Sequence, residues 1–338
     1  MSKQDVDVVS SMKNFQEVIS TLSPDLQRVD TMILEFAQGR SPLIKDISEH
    51  LINSGGKRVR PVSLLLAAQL CGDKKAHDLA AAVELIHSAT LLHDDVVDTS
   101  LVRRGKKTAN ALWDNKASIL VGDYLFSVAF QFMVRSGNLR VLDLLAKASS
   151  TMADGEVMQL QNSNDVALSE EKYLEIIFGK TAVLFSAACE CGALLNNRPE
   201  SEISALREFG KNLGIVFQIV DDVLDYEAES QVFGKEIGGD FFEGKVTLPI
   251  ILTYSQASLA DRRLIEKLFA ENLLNTEKDP HNFRQAFDLL AKYNGLGMAR
   301  DMALSHHELA LKNLEIFVDS DSKQGLITVL NNSFSRLS

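Results

Sequence analysis

The chain has 338 residues, 46% of them hydrophobic, with six prolines and one tryptophan, so it can bury a large core and lacks the composition of a proline-rich linker protein. A formal net charge of −11 argues against nucleic acid or an anionic membrane as the main partner, yet leaves room for a small anionic substrate, which answers to local charge. The three cysteines, Cys71, Cys189 and Cys191, show no framework spacing and read as small core residues in a reducing compartment.

The N-terminal MSKQDVD lacks an apolar signal core, and residues 1–13 are expected to be flexible. No run of eighteen apolar residues is free of polar breaks, so a cytoplasmic protein without a membrane span is expected. Residues 14–38 read as one or two helices broken near Pro24, with Val29, Met32, Ile33 and Phe36 among the apolar positions. A short helix over 43–54 ends in Gly55-Gly56, and Lys57-Arg58-Val59-Arg60 leads into an apolar helix from Pro61 to Cys71. A helix over 76–98 closes on LLHDDVVD, and a basic connector over 99–108 follows it. Trp113 is expected in a further helix. Ser118 to Val134 is apolar, with Phe126, Phe130 and Met133 at helical spacings. Helices are then expected over 138–161, 169–195 and 200–226, a glycine- and lysine-rich stretch over 234–249, and C-terminal helices near 281–291, 296–316 and 321–335. No strand and no βαβ alternation is expected. The chain therefore reads as all-α, a single domain over 14–338 with about ten or more helices around one core.

Two stretches concentrate the chemistry. Asp94, Asp95 and Asp98 close the 76–98 helix, and Asp221, Asp222 and Asp225 repeat the same D-D-x-x-D spacing 127 residues later, again at the end of an apolar helix. Residues four apart share a helical face, so Asp94 and Asp98 repel one another unless a cation lies between them, and such an oxygen-rich set suits Mg²⁺. Either copy alone could be a solvated helix end. Two copies facing each other would form a negative mouth whose natural occupant is Mg²⁺ carrying a diphosphate.

Basic groups flank the first cluster: Lys57, Arg58 and Arg60 before it, Arg103 and Arg104 after it. They suit a local anionic ligand, arginine by its fork of donors and lysine as a point charge, or else a solvated loop. Gly55-Gly56-Lys57 and Gly179-Lys180-Thr181 both lack the spacing of a nucleotide-binding P-loop. His87 and His93 lie roughly 120° apart around a helix, so they do not pair on a metal. His87, two turns before Asp94, either donates to a diphosphate or is a satisfied core histidine. His93 reads as structural.

The segments GGKRVRP (55–61), HSATLLHDDVVDTSLVRRG (87–105), GEVMQL (155–160), GKT (179–181), FQIVDDVLDY (217–226) and GKEIGGDFFEGKVTLP (234–249) resemble, in order, the trans-type polyprenyl diphosphate synthases. The resemblance extends from about residue 40 to 335 and is greatest to the bacterial long-chain enzymes that supply the quinone side chain. It implies an isoprenoid-synthase-type bundle around a central cavity. It also implies condensation of an allylic diphosphate, such as farnesyl diphosphate, with successive isopentenyl diphosphates, with three Mg²⁺ engaged when substrate is bound. On this resemblance Asp94, Asp98 and Asp221 hold metal, with Asp95, Asp222 and Asp225 around them. Arg103, Lys180, Lys235 and, less directly, Lys245 contact the allylic diphosphate. Lys57, Arg60, His87 and Arg104 hold isopentenyl diphosphate without metal, and Thr181 and Gln218 lie near the reacting centre. A homodimer, and at most transient membrane contact for product release, are implied as well.

The prenyl tail is then expected to run from Asp94 toward the N-terminus of the same helix, past Ala89 and Thr90. Ala89 is small and leaves the path open. Phe126, Phe130 and Met133 are deeper floor candidates that read equally as ordinary core. A product of eight to ten isoprene units is expected, eight (C40) first. A terpene cyclase of the same fold would need neither Lys57, Arg60 nor a second acidic motif. A non-catalytic helical subunit would be expected to lose carboxylates, and all six are present.

Overall fold

Alanine- and leucine-rich runs, punctuated by capping residues and prolines, become helices throughout a computed structural model that describes residues 14–36, 41–72, 76–227, 238–274 and 279–337. Residues 1–13, expected to be flexible, and Lys235 lie outside the described residues.

The first elements are α1 (Phe15–Thr21), α2 (Ser23–Phe36), α3 (Pro42–Asn53), α4 (Val59–Cys71) and α5 (His77–Val97). Next come α6 (Ala109–Leu112), α7 (Asn115–Arg135), α8 (Leu139–Gln161), α9 (Glu170–Ile177), a π-helical turn (Phe178–Ala182), α10 (Val183–Leu195) and α11 (Glu200–Glu227). The chain continues through α12 (Gly239–Phe242), α13 (Leu248–Gln256), α14 (Leu259–Leu274), α15 (Pro280–Lys292), α16 (Gly295–Asn313) and α17 (Asp321–Phe334), and closes on a 3₁₀ turn at Ser335–Leu337. Starts are set by local chemistry. Asp114, Asn138, Ser169 and Ser320 accept from backbone N–H groups at the starts of α7, α8, α9 and α17, and Pro42, Pro249 and Pro280 sit in the first turns of α3, α13 and α15.

The all-α expectation holds with one small addition. Within the basic connector, β1 (Val102–Arg103) pairs antiparallel with β2 (Lys106–Lys107). A tight turn with Gly105 at φ 74° closes this ladder, too short to leave a periodic signature. Trp113 falls just beyond α6, as its C-cap.

At the centre, α5 is buried on every side from Leu79 to Ile86, as an apolar helix in the middle of a bundle must be. It packs on α4 and α7, while α10 lies between α4 and α11. The core forms two clusters, one around α4, α5, α7 and α10, the other around α9 and α13 to α16. The 28-residue α11 contributes to both. By length and hydropathy Asn115–Arg135 and Glu170–Leu195 are apolar enough to cross a membrane, a signal not anticipated from the run-length reading. The second is 83% buried inside the fold; the first is 50% buried and packs its inner face on α5.

One close approach matters for the site. Where α8 crosses the π-helical turn, a Cβ on Gly155 would sit 2.5 Å from the Lys180 nitrogen, and one on Gly179 would sit 3.0 Å from the Gly155 Cα. Only glycines allow this contact. The π-helical turn that carries Lys180 and Thr181 is thereby pressed against α8, a local irregularity of the kind often found at functional sites.

Candidate active site

The two acidic clusters lie across one cleft. The segment before α13 connects them: Lys245 Nζ lies 3.0 Å from Asp98 Oδ2 and 2.7 Å from Glu243 Oε2, and Asp240, five residues earlier, donates its backbone N–H to Asp225 on α11. Burial alone would lower the Lys245 pKa, but Asp98 and Glu243 hold its ammonium above the usual lysine range. Lys180, on the π-helical turn, donates to Glu156 Oε2 at 2.9 Å and Gln159 Oε1 at 2.7 Å, both on α8. Thr181 donates to Gln218 Oε1 at 2.8 Å, and Gln218 donates to Asp222 Oδ1 at 2.8 Å. Gln159, Tyr173, Lys180, Gln218, Asp240 and Lys245 line one cavity beside these groups.

On α5 the middle carboxylate turns inward. Asp95 is 2% exposed and accepts from Arg103 Nε at 2.7 Å. Burial raises its pKa despite Arg103. Asp94 and Asp98 remain half-exposed on the opposite side. Burial pushes the Asp94 carboxyl up to about 7, with the like charges of Glu156 and Asp98 adding to the rise and Lys180 and Arg103 opposing it.

On α11 the middle carboxylate is again the buried one. Asp222 is 2% exposed and accepts from the Tyr173 hydroxyl at 2.6 Å as well as from Gln218. Burial lifts it to about 7 against the pull of those two hydrogen bonds. Asp225 accepts from the Asp240 backbone N–H at 3.0 Å. Asp221 pairs with Arg336 of the C-terminal turn at 2.6 Å.

A second, cationic zone lies near the start of α4 and the β1–β2 turn. Arg60 stacks on Phe185 with its guanidinium carbon 4.4 Å from the ring centre, and its buried Nε has no partner among the described residues. Burial pulls its pKa down to about 10, while Glu84 and Asp221 oppose that fall. Burial and the charges of Arg60, Arg104, Arg103 and Arg58 hold His87 well below the usual histidine range, so its imidazole is neutral. Lys57, exposed, is lowered by burial and by Arg336, with Asp221 opposing.

Among the described residues no three His, Cys, Asp or Glu side chains converge into a metal cage made by protein alone. The donor set nonetheless fits Mg²⁺. Half-exposed carboxylates stand at the ends of α5 and α11, burial together with the like charges of Glu156 and Asp98 holds Asp94 far from its ordinary acidity, and Mg²⁺ commonly takes one or two carboxylates and completes its shell with phosphate oxygens and water.

Along α5 below Asp94, Ala89 is fully buried, and the Thr90 hydroxyl is spent on the His87 carbonyl at 2.8 Å. On α7, Met133 is buried together with Phe132. Phe130 is 39% exposed on the outer face, with the ring of half-buried Phe126 5.7 Å away. The aromatic spacing thus continues onto the helix's outer side, and of the three deep candidates only Met133 faces fully inward. Two neighbours of the site, Tyr173 and Arg336, carry no sequence signature, and Glu156 and Gln159 fall within the GEVMQL segment without having been singled out. Asp240 stands within the quoted glycine-rich motif, where its position five before Lys245 was the available hint. Arg336 is an isolated arginine near the C-terminus and offered none.

The comparisons give the family and the fold. The family model described as polyprenyl synthetase matches residues 41–290. The chain is 36% identical to an octaprenyl diphosphate synthase of Haemophilus influenzae, over 99% of both chains. Among solved structures it is similar to a decaprenyl diphosphate synthase from Rhodobacter capsulatus (42% identity, TM-score 0.90, 96% of this chain and 99% of the other). It is also similar to a polyprenyl synthase from Caulobacter crescentus complexed with calcium and isoprenyl diphosphate (39% identity, TM-score 0.89, 95% and 98%).

Proposed function

The chain belongs to the polyprenyl synthetase family, and from that premise we propose that it makes an all-trans polyprenyl diphosphate of eight isoprene units. The general activity follows from the family: a prenyltransferase that condenses an allylic diphosphate with isopentenyl diphosphate and depends on a divalent metal. The eight-unit product, farnesyl diphosphate as primer and a place in quinone side-chain synthesis are the finer part of the proposal. The relatives themselves differ in length, octaprenyl in one and decaprenyl in another.

The observation that carries the reading is the pair of acidic clusters joined through one segment, in which Lys245 meets Asp98 and the Asp240 backbone N–H meets Asp225, with a separate cationic zone beside them. In this reading Asp94, Asp98 and Asp221 would hold Mg²⁺, which supplies positive charge against the departing diphosphate. Arg103, Lys180 and Lys245 bind that diphosphate and stabilise its growing charge. Lys235 shares their role in the proposal. Lys57, Arg60, His87 and Arg104 hold isopentenyl diphosphate, with neutral His87 able to donate from one ring nitrogen. Thr181 and Gln218, joined by a hydrogen bond, orient the reacting ends. The apolar α5–α7 wall excludes water from the allylic cation. No enzyme nucleophile is needed, and the released diphosphate can take the proton. Small, buried Ala89 supports a tail that passes down α5 toward Met133.

The proposal also treats the chain as one catalytic unit that works as a homodimer in the cytoplasm, with brief membrane contact when product leaves. The outer face of α7, where Ile119, Leu120, Phe130 and Val134 are exposed, supports a self-interface. Purified protein given Mg²⁺, farnesyl diphosphate and labelled isopentenyl diphosphate should yield, after dephosphorylation and mass spectrometry, a dominant forty-carbon alcohol. A forty-five- or fifty-carbon product would correct the length, and no elongation would overturn the reading.

A further inference from the structure

Between Lys57 and Arg60 stands Arg58, a residue without a role in the reading above. Its backbone is left-handed, φ 50°, at the N-cap of α4. Such a conformation is disfavoured for any residue with a Cβ and persists where the surroundings enforce it. Here the side chain does so. Arg58 Nη1 donates to Glu84 Oε1 at 2.5 Å, and Nη2 lies 3.0 Å from Asp30 Oδ1. The two carboxylates differ. The Asp30 side chain is 37% exposed at the surface, whereas Glu84 is 8% exposed in the middle of α5. Its charge is therefore screened far less.

Glu84 also faces more than one cation. Its field opposes the lowering of both Arg60 and Arg104, and it lies one turn before His87 on α5. Arg104, itself left-handed at φ 52°, donates to the Gly55 carbonyl, and a Cβ on Gly56 would fall 2.5 Å from its Nη1. The Gly55-Gly56 turn and Arg104 thus grip each other. The acidic groups that face this zone are Glu84, Asp30 through Arg58, Asp95 through Arg103, and Asp221 beside Lys57 and Arg60. Of these, Asp95 and Asp221 belong to the acidic clusters and Asp30 is at the surface. Glu84 remains as a fixed, internal negative charge on the side away from solvent.

We infer that Glu84 is a positioning residue for isopentenyl diphosphate: its carboxylate holds Arg58, and with it the turn that aims Lys57 and Arg60, and it is the charge around which Arg58, Arg60 and Arg104 gather. This rests on the proposed assignment of that cationic zone to isopentenyl diphosphate. Without such an anchor, the cations would repel each other in the empty site and the pocket would be assembled only at the substrate's expense. With it, the donors stand in place before the ligand arrives.

The test is steady-state kinetics with each substrate varied in turn, on Glu84→Gln, Arg58→Met and the double variant. Loss of one charge-assisted contact should raise the KM for isopentenyl diphosphate about tenfold in each single variant. The KM for farnesyl diphosphate should stay unchanged, and the double variant should be no worse than the worse single one, since both act through one contact. Calorimetric binding of isopentenyl diphosphate in chelator should weaken by the same factor. Thermal unfolding checks that each variant folds. If a single variant does not, the double variant, which leaves no buried charge unpaired and only surface Asp30 without its cation, carries the test with the same expected KM. Lys57→Ala separates the two ideas. If Lys57→Ala leaves the KM for isopentenyl diphosphate unchanged, the underlying pocket assignment fails. If Lys57→Ala raises it while Glu84→Gln and Arg58→Met do not, or if those two raise both KM values alike, the inference on Glu84 is overturned.

Discussion

On α5 the middle carboxylate, Asp95, is buried against Arg103; on α11 the middle carboxylate, Asp222, is buried against Tyr173 and Gln218. The outer members of each set stay half-exposed toward the cleft. One spacing therefore serves two purposes at once. Residues one apart on a helix point about 100° away from each other, so a D-D pair sends one carboxylate to the ligand and the other into the scaffold. The helices differ in what lies four or five residues before the cluster. On α5 it is Ala89 and Thr90, both small, Ala89 fully buried. On α11 it is Phe217, whose ring lies 5.5 Å from that of Phe185, with the Arg336 guanidinium 5.6 Å away. Similar clusters thus sit above small side chains on one helix and an aromatic stack on the other.

The largest expected effect separates outward from inward carboxylates. Asp94→Ala and Asp221→Ala should each lower kcat on the order of a thousandfold while the protein still folds cooperatively, since each removes charge that acts on the departing diphosphate. Retained elongation in Asp94→Ala would undo the metal assignment. The difference beneath the clusters gives the next test. Ala89→Phe should shorten the product, read by mass spectrometry of the dephosphorylated alcohols, whereas Phe217→Leu should leave its length alone. A full-length product from Ala89→Phe would place the tail elsewhere.

Tyr173→Phe probes the inward carboxylate on α11. It deletes one hydrogen bond to a buried Asp222 and should cost about 1.5–3 kcal/mol in denaturant unfolding, together with some loss of kcat as Gln218 loses its fixed partner. Stability equal to wild type would mean that Asp222 finds another donor.

How far these roles could be read in advance depends on whether the partner is local. The alternation of apolar residues along α5, α7 and α11 is a property of each helix, and so are the shared faces of Asp94 with Asp98 and of Asp221 with Asp225; periodicity suffices for these. Tyr173 reaches Asp222 from another helix, and Arg336 reaches Asp221 from the last turn of the chain. No spacing rule connects such pairs. The exposure of Phe130 has the same origin, because an apolar stripe wider than the core leaves periodicity silent about which edge faces inward. The β1–β2 ladder is fixed by a turn and two backbone pairs, with no alternation long enough to see.

A subtler effect concerns protons. Burial, with like charge beside Asp94, holds Asp94 and Asp222 near a pKa of about 7, far above an unfolded aspartate at 3.8. Between roughly pH 4 and pH 7 the metal-free native state therefore binds more protons than the unfolded chain, and stability should fall as pH rises through that window. Thermal midpoints in chelator should be lower at pH 7.5 than at pH 5.5, and Asp94→Asn should flatten part of that slope. An equal slope in the variant would mean that Asp94 ionises freely.

The smallest effect belongs to Arg336. Its guanidinium, 28% exposed, stands against Asp221, 33% exposed, where a metal would otherwise meet the carboxylate. An ion pair so open to water contributes at most about 1 kcal/mol, so removing it should change metal binding by no more than about fivefold. The direction is the informative part. If the arginine competes with metal, Arg336→Gln should lower the Mg²⁺ concentration that half-saturates binding of inorganic diphosphate, followed by calorimetry. If it instead shares the diphosphate with Lys57, the same variant should weaken that binding. Asp98 meets its own cation, Lys245, from the loop before α13, with side chains only 18% and 21% exposed. Lys245→Gln should accordingly shift the same titration further than Arg336→Gln, because its charge is less screened. A smaller shift would mean that the α11 cluster, despite its exposed partner, holds the metal more tightly than the α5 cluster does.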